Sequence, residues 1–195
     1  PNVHLLKDFG IAHFAHTLQQ AGFTSLDRSA DEYGLSLVLG GAEVRLVDVV
    51  SCYSKMAACY ADTTAYRDFP LRDKVALYHT FNAMREVNRP DQMDWRRATS
   101  VQNVAWKTGT SYGSRDGWAV GITPQYAVGV WVGNADGSGV AELTGARCAG
   151  PVLFDVYALL PSSRWFDEPK VSDGEVVRGC RHSGYRASRH CTDYE

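Results

Sequence analysis

The hydrophobic period changes once along this chain, and that change limits what it can fold into. Before residue 103 apolar residues recur at helical spacing. After it they fall in three short runs, 104–110, 117–123 and 126–132. Runs of this length between turn residues read as strands. The second and third are joined by Thr123-Pro124-Gln125, a hairpin-sized connection. Parallel strands need a crossover of a dozen or more residues, so short links imply an antiparallel sheet.

The flanking segments read as helices. An amphipathic helix is expected over 3–21, with Val3, Leu6, Phe14 and Leu18 near helical spacing and Gly22 as its stop. The apolar run Gly34–Gly41 leads into a second helix, 42–60, with a stripe of Leu46, Val50, Tyr53, Ala57 and Tyr60. A third is expected over 72–88 and ended by Pro90. Residues 133–147 form a Gly-rich loop, and Gly150-Pro151 opens a last helix to Leu160 with Pro in its first turn. Helices followed by a short antiparallel sheet and another helix indicate the α+β class, a sheet covered by helices. Residues 1–160 form the main unit. Residues 161–195, with Pro161, Pro169 and a Ser172-Asp173-Gly174 turn, are a linker or a small appended hairpin.

Composition removes several functions. A net charge of −2 gives no electrostatic footprint for nucleic acid. The longest apolar run, 126–133, is strand-sized and far from the roughly 18 residues a membrane helix needs. Five cysteines are too few for a disulfide scaffold and odd in number. Cys52 and Cys59, seven apart on a helix, are about 10.5 Å apart along its axis, beyond bridging distance, and read as core thiols. Cys180 and Cys191 lie in the polar tail. A bridge between them would close a loop of about a dozen residues and stabilise by roughly 2–3 kcal/mol. A metal site from Cys180, His182, His190 and Cys191, or free thiols, are the competing readings.

Trp106-Lys107-Thr108-Gly109-Thr110-Ser111 carries the most chemistry. At the end of a strand Lys107 projects an ammonium, and Thr108 and Thr110 share one strand face because side chains repeat every two residues. Gly109, lacking a side chain, lets an extended ligand lie against the strand. The set suits a peptide with a terminal carboxylate. A surface lysine on an edge strand is the plainer reading, and pattern alone does not decide.

Lys107-Thr108-Gly109-Thr110-Ser111 resembles the third motif of the serine penicillin-recognising enzymes, which include penicillin-binding proteins and β-lactamases. The resemblance continues through Gly34–Val44, which is similar to the helix-entry segment of class A penicillin-binding transpeptidase domains. Asp116–Pro124 with Gly129–Gly133 resembles the hairpin after that motif, and Ala149–Phe154 the last helix. The tail, from Cys180-Arg181-His182-Ser183-Gly184-Tyr185 to Cys191, is similar to the 1C type. The resemblance implies part of a D,D-transpeptidase domain that cross-links peptidoglycan stem peptides ending in D-Ala-D-Ala through a serine acyl-enzyme, inhibited by β-lactams and needing no cofactor. By motif, Lys107 and Thr110 are the expected catalytic residues. Thr108, Gly109, Thr110 and Ser111 are the expected substrate-binding strand, with the Thr110 N–H as an oxyanion donor. The resemblance further implies the periplasmic face of the bacterial inner membrane, an upstream anchor, and a glycosyltransferase domain acting on a lipid-linked precursor.

The departures matter as much. The family's nucleophile motif is Ser-x-x-Lys, and the residues three before Lys7, Lys55, Lys74, Lys107 and Lys170 are His4, Cys52, Leu71, Val104 and Asp167. None is serine. The second motif, Ser-x-Asn, is absent, and Thr80-Phe81-Asn82 reads as coincidence within a helix. The expectation is therefore a partial domain that begins just after the second motif, inactive alone, and able to self-associate through an uncovered edge. Two alternatives remain. One is a β-lactamase or carboxypeptidase of the same superfamily; the other is a non-catalytic module that only binds a peptide or partner.

Overall fold

The computed structural model describes residues 1–87, 89, 102–170, 174 and 177–194. Six helices and one sheet make up the described fold. The helices are α1 (Asn2–Phe9), α2 (Ile11–Ala21), α3 (Ala30–Tyr33), α4 (Leu46–Ala61), α5 (Lys74–Arg85) and α6 (Gly150–Leu159). A 3₁₀ turn, Gly34–Leu39, follows α3, and a π turn, Gly145–Ala149, precedes α6. Strands β1 (Ala105–Thr110), β2 (Asp116–Ile122) and β3 (Ala127–Gly133) form an antiparallel meander in the order β1-β2-β3. The α+β expectation and the three strand positions hold to within a residue or two.

The sheet is sandwiched. On one face Ala105 and Ile122 pack against Cys52, Cys59 and Tyr60 of α4 and Leu77 and Phe81 of α5. On the other, Val104, Trp106 and Ala119 pack against Leu153 and Tyr157 of α6. Leu6, Ala15, Leu26, Tyr33 and Leu37 form a separate N-terminal cluster. A Cβ at Gly129 would lie 2.4 Å from Val50 Cγ2 and 2.9 Å from Leu46 Cδ1, so β3 carries glycine where α4 crosses it. Cys52 and Cys59 are buried thiols as expected, and burial pushes the Cys52 thiol up to about 11.

Three helix boundaries differ from the sequence reading. The first expected helix is two, because Gly10 takes φ 93° and turns the chain between α1 and α2. The second begins at Leu46 rather than residue 42, after Gly40 at φ 88° and an extended Arg45. The third begins at Lys74 because the Asp73 carboxylate caps it, accepting from the Ala76 N–H at 2.7 Å. Pro90 and the Ser172-Asp173 part of the expected tail turn lie outside the described residues. The start of the tail docks on α5: Phe166 stacks on Phe81 at 4.6 Å, and Trp165 Nε1 donates to Asn82 at 3.0 Å. Asn82 and the fully buried Phe81 are thus structural, as expected for the Thr80-Phe81-Asn82 run.

Asp48 fixes the start of α4. It is buried, its carboxylate accepts from the Thr24 N–H and hydroxyl at 3.3 and 3.1 Å, and Arg45 pairs with it at 2.7 Å. The Arg45 bond first, then those from Thr24, hold its carboxyl below the usual carboxylate range against the opposing effect of burial. A depressed folded pKa contributes stability above the unfolded value of about 3.9 and loses it as pH falls through the folded pKa. Asp48→Asn should lower stability by ~2 kcal/mol near neutral pH. In urea melts the gap between it and the parent should shrink progressively below about pH 4; a gap constant with pH would contradict this.

Candidate functional site

The register of β1 on β2 decides which groups the motif presents. Lys107 pairs with Val120, Thr108 with Ala119, Gly109 with Trp118 and Thr110 with Gly117. The Ser111 N–H donates to the Asp116 carbonyl at 3.1 Å, so Ser111 points its backbone at β2. Antiparallel pairing alternates. Lys107 and Gly109 therefore also spend their backbone groups on β2, while Thr108 and Thr110 turn theirs to the outer edge. Among the described residues no strand pairs with that edge.

The side chains alternate in the opposite sense. Lys107 and Gly109 sit on the face that β2 extends with Trp118 and Val120 and β3 with Trp131. Thr108 and Thr110 share the other face. The motif's ammonium and its hydroxyls are thus on opposite sides of the strand and converge only along its edge. A cleft of about 790 Å³ lies over the first face. Lys107 through Ser111 line it, facing a wall built from the end of the 3₁₀ turn and from Leu46, Val49 and Tyr53 of α4.

Each motif residue has a defined partner. Lys107 Nζ donates to the Thr108 carbonyl at the strand edge. The Thr110 hydroxyl accepts from the Gly145 N–H at 3.0 Å, which leaves its own hydrogen as a donor. The Ser111 hydroxyl accepts from the Asp116 N–H at 2.9 Å and closes the β1–β2 hairpin. A Cβ on Gly109 would only touch Trp118 at 3.5 Å, so packing does not demand glycine there. Gly145 is different: its Cβ would lie 2.3 Å from the carbonyl oxygens of both Gly109 and Trp118. The π turn is pressed against the back of the motif, and only glycine fits.

Among the described residues that line the cleft, Lys107 is the one cation. The two carboxylates there have partners: Asp116 accepts from Trp131 Nε1 at 2.9 Å, and Glu43 lies 3.6 Å from Arg28. An entering anion therefore meets Lys107. The cleft-wall residues Tyr53, Trp118 and Trp131, and Gly145 behind the strand, were not singled out in the sequence as site residues. The cross-strand pairing of Trp118 with Trp131 was the available signal for two of them. Cys180 and Cys191 lie together in the tail, away from the residues that line this cleft. Among the described residues no three His, Cys, Asp or Glu side chains cluster as a metal site.

The chain is 32% identical to penicillin-binding protein 1C of Escherichia coli over 170 residues, which is 83% of this chain and 22% of that protein. The structure superposes on the crystal structure of penicillin-binding protein 1A from Haemophilus influenzae with a TM-score of 0.62, covering 100% of this chain and 37% of that one. The chain belongs to the class A penicillin-binding proteins. Penicillin-binding protein 1A of Neisseria meningitidis serogroup A matches at 24% identity across 98% of this chain and 26% of its own length. The last-named structure is 16% identical, and its likeness is one of fold. No protein-family model matches the chain. The chain spans about a fifth of the 1C relative, so the family assignment covers a region and not a whole protein.

The Thr110–Gly145 contact is the joint between motif and π turn in this penicillin-binding fold. Thr110→Val keeps the shape and removes the acceptor, and should cost about 1 kcal/mol in urea unfolding. Thr110→Ser should stay within a few tenths of the parent. A loss in Thr110→Ser with none in Thr110→Val would mean the methyl packing, not the hydrogen bond, holds the joint.

Proposed function

We propose that the chain supplies the substrate-binding strand of a peptidoglycan D,D-transpeptidase domain. Residues 1–160 are its C-terminal part and 161–195 an appended tail. The carrying observation is the outward pair of backbone groups on Thr108 and Thr110, at an edge beside the one cation of the cleft. An extended peptide can add to such an edge as a strand, its main chain bonding to Thr108 and Thr110. Its terminal carboxylate is then within the field of Lys107 and the threonine hydroxyls. The carbonyl to be attacked rests against the Thr110 N–H, a donor aimed where negative charge develops, a contribution typically worth ~3–4 kcal/mol of transition-state stabilisation. Gly109 gives clearance and Ser111 closes the hairpin.

The nucleophile of this reaction is a serine in Ser-x-x-Lys, a pattern the 195-residue sequence does not contain. On this reading the chain is inactive alone, and the parent protein pairs it with an upstream nucleophile, a glycosyltransferase domain and a membrane anchor. Stem peptides and a lipid-linked precursor are then its substrates, β-lactams its inhibitors, and the periplasmic face of the inner membrane its location. Among the described residues no helix is long and apolar enough to cross a membrane. The similarity to the E. coli protein across 83% of the chain supports the 1C type within the class.

Intact mass after incubation with a penicillin tests the proposal. The 195-residue chain should gain no stoichiometric adduct. The gene product carrying the upstream motif should gain one that persists, and Lys107→Ala should slow its formation by about tenfold or more. No adduct on the folded longer protein would leave only a binding edge, and rapid turnover of the drug would indicate a β-lactamase.

A further inference from the structure

Residues 177–194 contain no buried side chain among those described, so a hydrophobic core does not hold this part of the tail in shape. Backbone bonds do. Gly179 pairs with Arg186 and Cys180 with Tyr194, both antiparallel. The Cys180 N–H donates to the Tyr185 carbonyl at 2.8 Å, and the Arg181 N–H donates to the Asp193 carbonyl at 3.1 Å. The Arg178 guanidinium stacks over the Tyr194 ring at 4.9 Å. These contacts fold the chain back so that Cys191 returns to Cys180, near enough for each sulfur to shift the other's titration.

We propose that Cys180 and Cys191 are a modification site, closed to an intramolecular disulfide by exchange with a small-molecule disulfide such as oxidised glutathione. Cys180 attacks first and Cys191 resolves. The inference is independent of the transpeptidase reading.

The surroundings distinguish the two sulfurs. The Ser183 hydroxyl, the neighbouring Cys191 sulfur and the backbone N–H groups of Ser183 and His182 bring the Cys180 thiol down to about 7. The Cys180 sulfur beside it raises the Cys191 thiol, whose S–H donates to the Asp193 carbonyl at 3.1 Å. Asp193 lies 3.7 Å from Arg181 and 3.6 Å from His182. An attacking thiol works best with its pKa near the ambient pH, and Cys180 meets that condition.

In the first step the Cys180 thiolate attacks one glutathione sulfur, the glutathione S–S bond breaks, and one glutathione leaves as a thiolate that takes a proton from water. In the second, Cys191 gives its proton to water and attacks the Cys180 sulfur, and the second glutathione leaves. Two protein thiols are oxidised by two electrons and one glutathione disulfide is reduced to two thiols.

The test equilibrates the whole chain with oxidised and reduced glutathione near neutral pH, then alkylates it in denaturant and digests it with trypsin. Two of the five cysteines should become unreactive, and the peptides 179–181 and 190–195 should be recovered joined. Full alkylation at every glutathione ratio, or either cysteine joined to another partner, overturns the proposal. The order of attack is read from single variants. Cys191→Ser should accumulate glutathione on Cys180, about tenfold or more faster than Cys180→Ser loads Cys191. Equal rates would overturn the assignment of roles.

Discussion

The pairing of Gly109 with Trp118 sets everything the candidate site can do. A slip of one residue would exchange every inward and outward group on β1. Lys107 would move to the α6 face, and Thr108 and Thr110 would turn their N–H groups into the sheet. Two features pin the register. Trp106, on the α6 face, is buried with Leu153 and Tyr157. Gly145 presses on the carbonyls of Gly109 and Trp118, where no other residue fits.

The helices hold that strand from both sides with different consequences. α6 and the π turn pack against its back and give it rigidity, through an apolar cluster and the Gly145–Thr110 bond. α4 crosses β3 at Gly129, and its N-terminal half supplies the far wall of the cleft. The Asp48 tie to Thr24 joins the N-terminal helices to that wall.

Much of this was legible in the sequence and some was not. The strands and the Lys107–Ser111 motif were, because a change of period and a run of hydroxyl residues at a strand end are local signals. The break at Gly10 was not, since the apolar spacing continues through it and a single glycine is tolerated in a helix. The start of α4 depends on Thr24 meeting Asp48, 24 residues apart, which no local pattern carries. The opposition of Lys107 to Thr108 and Thr110 follows from strand alternation, but their convergence on one cleft needed the edge position of β1. Gly145 stood inside a Gly-rich loop, where composition could not tell a packing glycine from a flexible one.

Backbone hydrogen exchange during titration with an N-acylated D-Ala-D-Ala peptide tests the central claim most directly. The outward amides of Thr108 and Thr110 should gain protection as the peptide adds to the edge. Those of Lys107 and Gly109, already bonded to β2, should not change. Protection confined to other segments, or equal protection at all four amides, would contradict the assignment of β1 as the peptide-binding strand.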